Sequence, residues 1–180
     1  MDIATEFVSA IINAFEANKR LADRAVAQVP DDRLQIALDA NTNSIAAIMK
    51  HIAGNLLSRW TDFLTTDGEK TDRNRDSEFE APPQTHAQVL ELWEQGWQCL
   101  FTAIEPLTDA DLARTVFIRG EAHSVTQAIN RQVAHYQYHI GQIVLLARHF
   151  AGDRWQSLTI PRKGSAEFNR KVAAGEASQR

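Results

Sequence analysis

HYQYHIGQIVLLARH, from His135 to His149, decides how the chain is read. Apolar residues recur through it at three- and four-residue steps, the mark of a helix with one buried face. Yet His135 and His139 stand one turn apart at or beside that face. At about 100° per residue the two are offset by only about 40°, with Cβ atoms roughly 5–6 Å apart, so both rings reach one point. Taking Phe150, Val125, Ile143, Tyr136, Ile129 and Ile140 as the core stripe, His139 falls at its margin and His135 one step outside, beside Gln142. The pair is either two hydrogen-bonded rings in a packed interior or part of a metal site at a seam between helices.

Working outward, this helix runs from about Thr126 to Phe150 and stops at Gly152. Just before it, TVFIRGEAHSV (Thr115 to Val125) places two short β-prone runs around Arg119-Gly120-Glu121 and predicts a hairpin. Three more helices precede it. The first spans roughly residues 3–29, with Phe7, Ala10, Ile11, Ala14, Phe15 and Leu21 on one stripe, and ends at Pro30. The second starts near Asn43 or Ser44 and continues through SIAAIMKHIAGNLLSRWTDFL. The third starts at Thr85 and carries Val89, Leu92, Trp93, Leu100 and Ile104. Between the second and third lies DGEKTDRNRDSEFEAPPQ, dense in charge and closed by a Pro-Pro stop, which reads as a long surface loop. The expected fold is all-α: one domain over 1–180, a four-helix bundle to about residue 151 with a small hairpin before the fourth helix, and a tail over about 152–180. In the tail Trp155, Leu158 and Ile160 are expected to pack on the bundle or on a second subunit, with fraying from Gly175 onward.

Bulk properties exclude several function classes. With 180 residues, 44% of them hydrophobic and 23% charged, the chain can bury a core without staples. A net charge of −4 argues against general nucleic-acid binding. No apolar run is long enough to span a membrane, and the N-terminal MDIATEFVSAIINAFEANKR does not read as a signal peptide, so the expected location is the cytoplasm. The single cysteine, Cys99, excludes an internal disulfide and a cysteine-rich zinc motif, and reads as a small buried hydrophobe.

Catalytic sites of the zinc type use three protein ligands and one open position, so a third histidine decides the matter. His51, in KHIAGNLLSRW of the second helix, lies beside that helix's apolar arc with Asn55 one turn further on. With His135 and His139 it would form a three-histidine site, and Asn55, Gln142 and Tyr138 are candidates to orient rings or a bound molecule. His123 in the hairpin is the reserve ligand, and His86 reads as a surface residue. His149 stands some 15 Å beyond His139 along the helix axis, too far to share an ion. The zinc-protease pattern fails because Tyr136, not Glu, follows His135. The di-iron carboxylate pattern fails because no Glu stands three residues before any histidine.

One histidine in the second helix followed by H-x-x-x-H in the fourth resembles the DinB/YfiT-like superfamily of metal-dependent enzymes. NSIAAIMKHIAGNLLSRWTDFL, GEKTDRNRDSEF, HYQYHIGQIVLLARH and WQSLTIPRKGSAEFN together look like one uncharacterised bacterial subfamily of that group. The resemblance implies a bundle of up-down-down-up order with a long crossover between helices two and three, and frequently a homodimer. It also implies a divalent metal, Zn2+ or Ni2+, on His51, His135 and His139, and this sequence does not depart from the histidine pattern. Characterised relatives use the metal to activate a low-molecular-weight thiol such as bacillithiol or mycothiol, and include thiol S-transferases and a thiol-dependent isomerase. The implied function is therefore thiol S-transfer onto a small-molecule substrate, or metal-dependent hydrolysis. The alternative is a non-catalytic dimeric binding or stress-response module with a structural metal, with no nucleic acid or membrane partner in either case.

Arg59 stands two turns from His51 and either binds an anionic group or pairs with a carboxylate such as Asp62. Arg73, Asn74, Arg75 and Arg119 are either solvated charge or the mouth of the site. Trp93 and Trp97 read as core or dimer-face aromatics, and Ala134 and Gly141 permit close helix packing or a subunit contact.

Overall fold

The computed structural model describes residues 3–80, 83 and 85–178. Pro82 of the expected Pro-Pro stop, and Gln179 and Arg180 of the tail, lie outside the described residues. Four long helices carry the fold: α1 (Ile3–Val26), α2 (Ile45–Trp60), α4 (His86–Ile104) and α6 (Val125–Ala151). Shorter helices α3 (Ser77–Glu80), α5 (Asp109–Leu112) and α7 (Ser165–Ala173) lie between and after them, and strands β1 (Thr115–Ile118) and β2 (Glu121–Ser124) form an antiparallel hairpin. No helix among the described residues is long and apolar enough to cross a membrane.

Local chemistry sets the helix ends. The Ser44 hydroxyl accepts from the Ala47 N–H, satisfying one of the free donors at the start of α2. Thr85 and Ser124 form reciprocal capping boxes with Gln88 and Gln127 at the starts of α4 and α6. Gly152, at φ 55°, ends α6. The second helix is shorter than its apolar pattern predicts and stops at Trp60. Asp62 takes φ 48°, and its carbonyl accepts from the N–H groups and hydroxyls of both Thr65 and Thr66. A local turn satisfied by threonines wins over continuation of the helix.

An aromatic cluster ties the four long helices together. Phe15 of α1 lies 6.2 Å from Trp60 of α2, 6.3 Å from Trp97 of α4 and 5.9 Å from Tyr136 of α6, ring centre to ring centre. Trp93 and Trp97 are fully buried, so both are core residues. Gly96 lets α4 approach α2 closely, since a Cβ there would meet the Ala53 Cα at 3.0 Å. The tail packs in cis: Leu158 is buried, Trp155 rests on the core, and the Leu158 carbonyl accepts from Arg24. Ala134 and Gly141 are exposed on α6, and nothing lies within 4 Å of where a Gly141 Cβ would be.

Helix α2 is buried nearly all round, and its interior includes His51, Asn55, Ser58 and Arg59. Buried polar side chains need partners, and theirs come from the charged loop and from α6. The loop also anchors the hairpin: Asp67 accepts from the backbone N–H groups of Arg119 and Gly120, which sit at φ 57° and 76° in the tight turn. The Gly68 N–H donates to the Phe117 carbonyl at 2.8 Å. Loop and hairpin are thereby held together beside the polar side of α2.

Candidate metal centre

His51 enters the interior from the middle of α2, and His135 and His139 meet it from successive turns of α6. Their Nε2 atoms converge: His135 to His139 is 3.2 Å and His51 to His135 is 3.5 Å. The ligand atoms of all three lie within 4.8 Å of one another. Each Nδ1 faces an oxygen on its other side. The His51 Nδ1 lies 2.7 Å from Glu78, the His139 Nδ1 3.0 Å from Gln142 Oε1, and the His135 Nδ1 3.4 Å from Gln132 Oε1. A carboxylate only accepts, so His51 carries its proton on Nδ1, and the two glutamine oxygens favour the same tautomer on the other rings.

Three such tautomers direct three Nε2 lone pairs at one another with no proton between them. That arrangement is repulsive without a cation and correct with one. Two imidazole nitrogens on a tetrahedral zinc, each at about 2.05 Å, stand roughly 3.3 Å apart, a separation that lies between the two close spacings. Protonation is disfavoured as well. Burial, reinforced by the neighbouring His139 and His51, pulls His135 down to about 3. Burial also lowers His139, against a hydrogen bond to Gln142 that raises it. Both rings are therefore neutral near pH 7, the form in which imidazole binds a metal. The residues present fit a divalent ion, and among the described residues no fourth histidine, cysteine or carboxylate joins the three.

A family model described as a protein of unknown function, DUF1572, matches residues 2–164. The chain belongs to this family. No curated protein matches the sequence. The DUF1572 match takes in all three histidines and the charged loop, and ends just before α7.

In this DUF1572 chain Glu78 is the residue that sequence reasoning missed. It sits on α3 within a segment that reads from sequence as a long surface loop, yet it is 5% exposed. Arg73 donates to both of its oxygens, Nε to Oε1 at 2.8 Å and Nη2 to Oε2 at 3.0 Å. Burial opposes its ionisation, but the hydrogen bonds from His51 and Arg73 and the Arg73 charge outweigh it and hold the carboxyl below its ordinary range. The mid-helix Gly54 makes room for it: a Cβ there would fall 2.4 Å from Glu78 Oε1. Phe79, next along, stacks on the His51 ring at 4.7 Å.

A cavity of about 460 Å³ opens in front of the histidines. Of the other candidates, Asn55, Arg59, Gln142 and Tyr138 all line it. Asn55 Oδ1 accepts from the Tyr136 hydroxyl, which in turn accepts from Trp60 Nε1, leaving the amide NH2 as the end available to a bound molecule. Tyr138 is mostly exposed and lies edge-on to His139. Arg59 pairs with Glu69 at 2.9 Å and donates to the Gly68 carbonyl, so its carboxylate partner is Glu69 and not Asp62. Arg73, Arg75 and Arg119 are at the cavity, whereas the Asn74 side chain caps Ser77. His123 stays on the hairpin opposite Val116 and outside the cluster. His86 bonds Asp31, and His149 is exposed further along α6. Cys99 is half-buried in a separate, mostly apolar groove of about 910 Å³.

Proposed function

We propose that the chain is a divalent-metal-dependent enzyme, with Zn2+ or Ni2+ held by His51, His135 and His139. The convergence of three Nε2 lone pairs beside an open cavity, with each Nδ1 held by a separate oxygen acceptor, carries this reading. On the sequence resemblance, the chain is a single DinB-like domain, its four long helices form an up-down-down-up bundle, and the protein is a cytoplasmic homodimer. A bound zinc-class ion would supply the Lewis acidity that makes a low-molecular-weight thiol or a water nucleophilic at neutral pH.

The chain's own groups do the rest. Glu78 fixes the tautomer and orientation of His51 and strengthens it as a donor, while Gln142 and Gln132 do the same for His139 and His135. Tyr136 and Trp60 fix the Asn55 amide, which presents its NH2 to a ligand in the cavity. Phe79 packs on the outer face of His51 and limits its exposure to water. A cavity in which, among the described residues, no fourth histidine, cysteine or carboxylate joins the three favours a catalytic site over a purely structural one.

The test is turnover: metal-loaded protein assayed with bacillithiol, mycothiol or water as nucleophile against a panel of electrophiles. The proposal expects activity with at least one nucleophile that disappears in H135A. Metal-loaded protein inactive with all of them would favour the structural-metal reading.

A further inference from the structure

The cavity before the histidines is strongly basic in a chain whose net charge is −4. Five arginines line it: Arg59, Arg73, Arg75, Arg119 and Arg131. Against them stand the partly exposed Glu69 and the buried Glu78. Arg73 is committed to both of these, and Arg59 to Glu69. Arg119 shares the same Glu69 at 3.3 Å with its own side chain 58% exposed. Among the described residues Arg75 pairs only with Asp76, at 4.0 Å, and it lies over the Phe79 ring. Arg131, one turn before His135 on α6, has no hydrogen bond or ion pair among the described residues. Arg59, which also lines the cavity, is 6% exposed, and its buried Nε has no hydrogen-bond partner among the described residues.

So a concave, partly dehydrated surface holds more guanidinium than carboxylate, and one buried donor there is unanswered. Clustered like charge destabilises a fold unless something neutralises it. Guanidinium groups match carboxylate and phosphate oxygens in a planar, two-point geometry. The volume suits a small molecule and not a polymer.

We propose that this cavity binds a small anionic molecule, its carboxylate or phosphate held by Arg75 and Arg131 with Arg119 at the rim. The other end of that molecule then faces the histidines. This last statement rests on the proposed metal-dependent function, whereas the oxyanion subsite stands on the arginines alone.

Calorimetric titration of the full-length protein, both zinc-loaded and chelated, with inorganic phosphate, succinate and dimethyl succinate tests it. Wild-type protein is expected to bind phosphate or succinate at low ionic strength, and not the neutral ester. The double variant R75Q/R131Q should bind at least about tenfold more weakly in both forms, the loss expected from two charge-assisted contacts. R148Q, at an exposed arginine near the far end of α6, should match wild type. Tighter succinate binding assigns a carboxylate ligand, and tighter phosphate binding a phosphate. No heat with either anion, or equal affinity in wild type and the double variant, overturns the proposal. Anion binding by protein that takes up no zinc would break the metal reading and leave this one standing.

Discussion

Replacing Glu78 by glutamine removes one negative charge from a buried network and changes almost no volume. In the native arrangement the carboxylate accepts from His51 Nδ1 at 2.7 Å and from two nitrogens of Arg73 at 2.8 and 3.0 Å, an all-acceptor role. A glutamine can keep one oxygen acceptor but must aim an NH2 group at either His51 or Arg73. Breaking a buried ion pair from one side costs about 3–5 kcal/mol. Arg73 keeps its second partner Glu69 at 3.2 Å, so the lower end, about 3 kcal/mol, applies. For a chain of this size that is a drop in Tm of roughly 6–12 °C. The second effect falls on the metal. Losing the acceptor that orients a ligating histidine weakens metal binding by about 10–100-fold. Competition with a chromophoric zinc chelator measures the affinity, and circular dichroism melts of the chelated protein measure the stability. An E78Q protein with wild-type zinc affinity would refute the role given to Glu78, whatever its Tm.

Gly54→Ala reaches the same contact without changing charge. The new methyl group collides with a carboxylate whose two oxygens are already committed, so zinc affinity should fall and E78Q in the same background should add little further loss. Tyr136→Phe leaves Trp60 Nε1 and Asn55 Oδ1 without their shared partner; a loss of about 1–3 kcal/mol in urea unfolding is expected, with zinc content unchanged. In chelated protein His135 titrates near 3 when folded and near its ordinary 6.5 when unfolded. The unfolded chain therefore binds the extra proton first, and unfolding free energy should decline as pH falls from about 6.5 toward about 3. The depressed Glu78 carboxyl adds to the loss at the acid end. A flat acid limb in chemical denaturation across that window would contradict both placements.

Periodicity and capping made much of the fold legible. Helices α1, α2, α4 and α6 begin close to where the apolar stripes and the Ser44 and Thr85 signals place them, and the hairpin turns at Arg119-Gly120. The convergence of the histidines was legible because each lies at or just beside the margin of an apolar stripe, and their spacing excluded His149. The partners were not. Glu78 sits in a segment with no period, where burial depends on pairing with Arg73 and on a groove in another helix. One signal did exist: Gly54 interrupts a helix three residues after His51, at a cost of about 1 kcal/mol that needs a packing reason. Arg59 was matched to Asp62 by proximity along a helix assumed to continue. Once the threonines of the turn end that helix at Trp60, the nearest carboxylate in space is Glu69.

The most direct test of the three-histidine centre is elemental analysis of protein loaded with zinc or nickel and then desalted, comparing wild type with H51A, H135A and H139A. The account predicts about one ion per chain in the wild type, as a single three-ligand site requires, and loss of it in each variant with helical circular dichroism retained. A wild-type chain that takes up neither ion, or variants that keep it, would contradict the account.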